Sequence, residues 1–294
     1  MLSLGTSDLI ERLDYSEYTN KQLITIPLAL FILSVGVLLG GLILSGTPVG
    51  LGIEFVGGSE IQVESIDGTG STSELSTAFP VEPTSVQTVL SDGSYVVTFK
   101  ESGQDISELE IAAEQAGYEV LTSSDIAASF GSETQRLALV GMGVAFGGMA
   151  LVVFGLFRTF IPSIAVIASA TSDIIVTVAA MAILGVDLSL GTVAALLMLI
   201  GYSVDSDILL NDYVIRRGGE FYESVYAAMD TGVTMTLTSL LAMVVLALGA
   251  AVLGVSLLQD IGTVLAIGLA VDLLNTYMLN LSLLRWYKFD GVRR

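Results

Sequence analysis

Six stretches of this 294-residue chain are apolar over the length needed to cross a bilayer, and they constrain the fold more than anything else in it. They lie at roughly 23–45, 136–157, 160–184, 188–213, 232–256 and 260–284. As a helix, ~20 apolar residues cover the ~30 Å of a hydrocarbon core. No water reaches a backbone N–H or C=O there, so each run has to close its hydrogen bonds within itself, as a helix. With 53 % hydrophobic residues and a mean hydropathy of +0.79, the chain is not an ordinary soluble domain. The first, second and fifth runs carry no charge in their apolar cores. Asp173 interrupts the third, Asp205 and Asp207 the fourth, and Asp272 the sixth.

The first run follows the mostly polar residues 1–22. It is longer than the apolar region of a signal peptide and has no small-x-small site after it, so it reads as a retained anchor. Cytoplasmic loops retain Lys and Arg, which sets orientation. With the N-terminus inside, six spans place Arg12, Lys21, Arg158, Arg216, Arg217, Arg285, Lys288, Arg293 and Arg294 on the cytoplasmic side. Only Lys100 and Arg136 fall outside. The expected organisation is therefore a cytoplasmic segment 1–22, a first span 23–45, an extracytoplasmic domain 46–133, spans two to six within 134–285, and a cytoplasmic tail 286–294. Both termini are cytoplasmic, in a multi-pass protein of the cell membrane.

Thirty acids against eleven bases give a net charge of −19, and half of the acids lie in residues 46–133. One reading is an acidic patch for a basic partner. The preferred one is a solvated acidic surface adapted to high salt, which screens its self-repulsion and points to a halophile, an archaeon. The chain has no Cys, hence no disulfide and no thiol chemistry. It also has no His, so any proton chemistry has to use carboxylates.

Within 46–133 the alternating IQVES after two glycines predicts a strand. VQTVL and SYVVTFK, separated by Ser91-Asp92-Gly93, predict a hairpin. Residues 104–117 put Ile106, Leu109 and Ala113 on one face of a helix ending at Gly117, and the strand YEVLT follows. The result is a small α+β domain. Between the fourth and fifth spans, 216–231 repeats Phe221, Val225 and Ala228 at helical spacing, predicting a short amphipathic helix on the cytoplasmic face. The glycines of GMGVAFGGM at 141–149 are expected to allow close helix packing. No phosphate-binding glycine motif and no metal-spaced Cys/His cluster is present, so neither an enzyme, a cofactor, a metal nor a nucleic-acid partner is expected.

Chemistry, if any, rests on the acids of the spans, because a charge kept at mid-bilayer is costly and usually used. On a helix Asp205 and Asp212 share a face, and Asp207 points ~200° from Asp205. No Lys or Arg lies in any span core to neutralise them; Ser203, Ser206 and Asn211 are the polar neighbours in sequence. Asp205 and Asp207 are read as a proton or ion pathway, and Asp212 as a packing clamp or an interfacial group. Asp173, with Thr171, Ser172 and Thr177, stands open between an ion path and an interhelical hydrogen bond. Asp272, Asn275 and Asn280 form a polar stripe on the sixth span, read as structural.

Four segments in order carry a resemblance. GIEFVGGSEIQVE after the first span resembles a GxDFxGGTxIxV segment, and IAASFGSETQRLAL resembles the approach to the second span. TSDIIVT resembles HDxxIT in the third, and VAALLMLIGYSVDSDILLNDYVIRR resembles TTVAALLTxIGYSxNDTIVVxDRIRE in the fourth. All belong to the SecF family of the protein-export machinery. The resemblance implies six transmembrane helices of RND-transporter type, SecD as a related six-span partner, association with the SecY channel, and help for translocating polypeptides across or into the lipid membrane. Two departures stand out. The family's Asn-Asp pair is replaced by Val204-Asp205-Ser206-Asp207, which displaces the acid by one position either way. The Arg of its fifth-span RTLxTS is Thr234 in TMTLTS. An accessory export subunit, with or without ion coupling, is the leading expectation. A self-contained secondary transporter of a small solute is the alternative, against which the lack of a detectable internal repeat argues.

Overall fold

The computed structural model describes residues 15, 17–67, 70–100, 105–216 and 220–291. Most of the expected N-terminal segment, part of the tail, residues 217–219 and the start of the expected 104–117 helix lie outside these residues.

The first long helix, α1 (Asn20–Ser45), begins on a reciprocal cap. The Thr19 amide donates to Gln22 Oε1 at 2.8 Å, and the Gln22 amide donates back to Thr19 Oγ1 at 3.3 Å. It stops at Gly46, whose φ of 78° turns the chain away. A short helix, α2 (Ile53–Val56), leads into a domain of order β1 (Gly58–Ser65), α3 (Thr72–Ala78), β2 (Ser85–Thr88), β3 (Tyr95–Lys100), α4 (Ile106–Gln115) and β4 (Tyr118–Ile126). The strands form an antiparallel sheet in the order β2-β3-β1-β4. Alternation along β1 sends Ser59, Ile61 and Val63 inward, as the IQVES pattern predicts. Ile61, Val97, Leu75, Leu109 and Ala113 are fully buried between the sheet and the two helices, with Phe79 edge-on to Phe99 at 5.0 Å. Strand β4 runs four residues beyond the expected YEVLT, because β1 continues to pair with it as far as Gly58↔Ile126.

Helices α5 (Ala128–Phe157), α6 (Phe160–Leu184), α7 (Leu190–Arg216), α8 (Phe221–Leu253) and α9 (Ser256–Leu274) follow. The sixth apolar segment does not remain α-helical. After α9 comes a π-helical stretch, Asn275–Asn280, then α10 (Leu281–Trp286) and a second π turn, Tyr287–Gly291. Six segments are long and apolar enough to span a bilayer: Asn20–Ser45, Gly131–Phe157, Phe160–Leu184, Leu190–Arg216, Phe221–Leu253 and Ser256–Phe289. In the apolar windows of α6 and α7, 56 % and 50 % of residues are buried within the chain, against 6 % for α1 and α5. The centre of the bundle is therefore α6, α7 and the sixth segment, and α1, α5 and α8 present most of their apolar surface outward.

Two expectations are corrected. No separate amphipathic helix occupies the described part of 216–231; from Phe221 it is the first part of the unbroken α8. Phe221, Val225 and Ala228 are buried as expected, but against Leu210, Val214, Leu281 and Leu284. Nothing in 221–231 breaks a helix, so this segment and the fifth apolar run merge. Within this chain the glycines of 141–149 do not mediate close packing either. A methyl group built on Gly141, Gly143, Gly147 or Gly148 meets nothing within 4 Å, because this stretch of α5 faces outward.

The sheet domain is fastened to the helices at several points. Leu188 N donates to Gly50 O at 2.7 Å and Gly52 N donates to Leu188 O at 2.8 Å, forming a parallel bridge at Leu51. Lys100 Nζ meets Asp187 Oδ2 at 2.6 Å. A side chain at Gly50 would collide with Asp187, and one at Gly131 would collide with the backbone of Phe55 in α2. These contacts require glycine for their closeness.

Candidate functional site

Three carboxylates converge where α6, α7 and the sixth segment meet. Asp173 of α6, Asp207 of α7 and Asp272 of α9 are at most 1 % exposed. Asp173 Oδ2 accepts from the Ser203 hydroxyl at 2.5 Å, and its Oδ1 accepts from Asn275 Nδ2 at 2.6 Å. Asn275 Nδ2 also reaches Ser172 Oγ at 3.0 Å. Asp207 Oδ1 accepts from Asn280 Nδ2 at 2.7 Å and from Thr276 Oγ1 at 3.0 Å. Asp272 lies 3.0 and 3.1 Å from the Ser206 hydroxyl through its two oxygens, and 3.3 Å from Thr276 Oγ1.

Local chain geometry assembles this set. On α7, Ser203, Ser206 and Asp207 fall three and four residues apart, on one face. The π-helical stretch takes in more residues per turn than an α-helix, so Asn275 and Asn280, five apart, both point into the cluster. An α-helical continuation would have rotated Asn280 away. Such single π turns recur at functional sites.

The electrostatics are one-sided. The ion pairs among the described residues are Lys100–Asp187 and Arg216–Asp212, neither of which includes a residue of the cluster. Removing a carboxylate from water costs several kcal/mol even after relaxation, so three together need compensating positive charge. Two hydroxyl protons are each shared among several acceptors. The single Ser206 proton has Ser203 O, both Asp272 oxygens and Thr276 Oγ1 within 3.2 Å. The single Thr276 proton is contested by Asp207 and Asp272. Asp207 Oδ2, Asn275 Oδ1, Asn280 Oδ1, both polar atoms of Asn211 and the Tyr277 hydroxyl are buried with no hydrogen-bond partner. An acceptor-rich cluster with no cation among the described residues can take up protons or a small cation.

The acids singled out from sequence separate into three settings. Asp207 and Asp173 are in the cluster, and so are Asp272 and Asn275, expected as a structural stripe. Asp205 is not. It is exposed on the opposite face of α7, lining a cavity of about 110 Å³ with Tyr202, Leu209, Met235 and Thr236. Ser206 belongs to the wall of that cavity and to the cluster at once. Asp212 sits 3.4 Å from Arg216, one turn along the end of α7. Thr234, at the position of the family's Arg, is exposed on α8 and donates to Asp230 O at 2.8 Å. Thr276, which joins two of the acids, was missed because a lone Thr in an apolar run carries no signal of its own.

The sequence pattern of the family described as "Protein export membrane protein SecD/SecF, C-terminal" matches residues 107–290. The chain is 53 % identical over 285 residues to the protein-export membrane protein SecF of Haloferax volcanii, covering 97 % of this chain and 98 % of that one. It is 55 % identical over 288 residues to the SecF of Haloquadratum walsbyi, with the same shares. The SecF of Methanocaldococcus jannaschii is 38 % identical over 290 residues, covering 91 % of this chain and 95 % of that one. Two of these relatives are haloarchaeal, in keeping with the acidic surplus. The fold matches a crystal structure of SecDF, a translocon-associated membrane protein from Thermus thermophilus, at TM-score 0.75 and 22 % identity. That match covers 95 % of this chain and 39 % of the larger one. Pattern, full-length identity and fold agree, and the chain belongs to the SecF family of protein-export membrane proteins.

Proposed function

We propose that this chain is an accessory subunit of protein export, that it works beside a SecD-type partner at the SecY channel, and that its buried carboxylates couple polypeptide movement to an ion gradient. Family membership supports the export role. The fold match, in which the chain covers 39 % of a SecDF chain, supports a partner of comparable architecture and an RND-type arrangement of helices. The distribution of basic residues supports an extracytoplasmic sheet domain and cytoplasmic termini.

The observation that carries the coupling is the cluster itself. Asp173, Asp207 and Asp272 lie on separate elements, have no counter-charge among the described residues, and are linked through Ser203, Ser206 and Thr276. Uptake of a proton or cation relieves their mutual repulsion and draws α6, α7 and the sixth segment together. Release lets them part. The ionic state of the cluster thereby sets the packing of the helices to which the sheet domain is fastened.

The test is replacement of Asp173 or Asp207 by Asn, which keeps shape and removes the charge-carrying group. Secretion of a reporter is expected to slow in both variants, while the protein still copurifies with its SecD-type partner and the interfacial Asp212→Asn secretes normally. Normal secretion by both buried variants would leave the carboxylates a structural role only. Loss of copurification would move the defect from coupling to assembly.

A further inference from the structure

Where the first helix begins and the last one ends, on the side of the bundle that carries both termini, a cavity of about 350 Å³ opens between α1, α8 and the end of the sixth segment. Thr19, Asn20, Tyr222, Arg285 and Phe289 line it. Arg285 is the only cation among the described residues that line it, and it is held from two directions. One Nη1 bond of 2.5 Å goes to the Tyr18 carbonyl, and the guanidinium lies 5.7 Å from the centre of the Tyr222 ring. Phe289 in turn is edge-on to Phe221 at 5.2 Å, which fixes the far wall.

A guanidinium has five N–H donors, and only one of them is used by a described residue. No carboxylate among the described residues pairs with Arg285, nor with Lys21, which adjoins the cavity through Asn20. Among the described residues, Arg285 is a guanidinium held by a carbonyl and a ring rather than by a carboxylate, which leaves its charge uncompensated by them. The depth is informative as well. Tyr18, Trp286 and Phe289 are each nearly half exposed around this rim. Tyr and Trp, whose rings are amphipathic, gather at the boundary between hydrocarbon and headgroups, and the outward-facing α1 starts at the same level. An anion there would meet a preset, forked donor next to an apolar surface.

We infer that this cavity is a binding site for the phosphate of an anionic phospholipid in the leaflet facing the termini, gripped by Arg285 with its acyl chains along α1. Basic pockets beside membrane helices bind such headgroups, and guanidinium geometry suits two phosphate oxygens at once. The site is independent of the carboxylate cluster and of the export reading.

The chain has a single tryptophan, Trp286, next to Arg285, and this provides the probe. The intact protein is reconstituted in bilayers of phosphatidylcholine containing a fixed fraction of brominated lipid, either phosphatidylglycerol or phosphatidylcholine. Bromine quenches Trp286 only when that lipid sits beside it. The measurement is made in molar KCl, where diffuse surface attraction is screened to ~3 Å. The wild type should favour brominated phosphatidylglycerol by roughly fivefold in relative affinity, as expected for one basic contact. Arg285→Gln should abolish the preference, Arg285→Lys should leave part of it, and Arg158→Gln, removing a cation elsewhere, should leave it whole. Added inorganic phosphate should not displace the lipid. Equal quenching by the two lipids in the wild type overturns the proposal, as does equal loss in Arg285→Gln and Arg158→Gln. Complete displacement by phosphate overturns the lipid assignment and makes the site one for a free anion. If Arg285→Gln does not fold, Arg285→Lys against Arg158→Gln decides the same question.

Discussion

Replacing Thr276 by Val tests the cluster at the residue that ties it together. The Thr276 hydroxyl is 3.0 Å from Asp207, 3.3 Å from Asp272 and 3.2 Å from Ser206. Val has nearly the same shape, so no cavity forms and the helix keeps a β-branched residue. Asp207 Oδ1 retains Asn280, and Asp272 retains Ser206, so no carboxylate oxygen that is bonded now is stranded. The stability loss is then that of one hydrogen bond, about 1 kcal/mol in water and about 0.6 kcal/mol by the averages measured between membrane helices. Function should respond differently. With the hydroxyl gone, nothing in the described structure bridges Asp207 and Asp272, and charge moving between them has to cross the gap unaided. A rise of only about 1.4 kcal/mol in that barrier slows the step tenfold. The assay pairs a thermal melt of the purified protein with the rate of reporter export driven by an imposed ion gradient. The expected result is a melt within a few degrees of wild type, export reduced by an order of magnitude, and rescue by Thr276→Ser. If Thr276→Val exports normally, the bridge carries no traffic. If export falls only in proportion to stability and Thr276→Ser behaves no better than Val, the hydroxyl is a packing element and the coupling argument loses its central residue.

Two further outcomes follow from the packing and the charges. Gly232 of α8 faces the Tyr277 hydroxyl, which occupies the place where a Cβ would stand, so Gly232→Ala should destabilise the protein by about 1–3 kcal/mol through overpacking. Combining it with Tyr277→Phe should recover part of that loss in the same melt, and an additive loss would refute the assigned contact. In the sheet domain, burial pushes the Glu60 carboxyl above its ordinary range, helped by Glu54 and opposed by the Thr98 hydroxyl. A carboxyl whose folded-state value is raised binds its proton more tightly when folded, so the domain gains stability as pH falls through that raised value and loses it as Glu60 ionises. Protection factors of the β1 amides, corrected for the intrinsic pH dependence of exchange, should rise on mild acidification in the wild type and much less so in Glu60→Gln; identical pH responses would rule out Glu60 as the source.

Much of the fold is legible in the residues because bilayer length and backbone satisfaction leave one solution for a long apolar run. The β1 strand and the α4 helix were equally readable, since alternation and a 3.6-residue period are local signals. Three features were not. The merging of 221–231 into α8 depends on which apolar face finds a partner, and Phe221, Val225 and Ala228 look the same on a surface helix as on a buried one. The outward-facing glycines at 141–149 resemble packing glycines until the neighbouring helix is seen to be elsewhere. The third is the site. Asp207 and Asp173 were nominated on cost alone, and Asp205 was grouped with Asp207 for the same reason. Two residues along a helix is slightly more than a half-turn, and the structure puts one acid in the core and the other on the surface. The promotion of Asp272, Asn275, Thr276 and Asn280 to the cluster depends on a π turn, which no local periodicity announces.

The attachment of the sheet domain has a mechanical meaning. A domain hung from two strands of chain would swing, and a pull on it would be spent in the hinge. Here it is clamped by the Gly50–Gly52 bridge to Leu188, by Lys100 on Asp187, and by α2 against Gly131 of α5. Residues 187 and 188 are the turn between α6 and α7, the two helices that carry Asp173 and Asp207. A tug on the sheet therefore has a stiff load path into the turn and down both helices, with little slack on the way. The same contacts work in reverse, so any shift between those two helices is passed through their turn to the sheet.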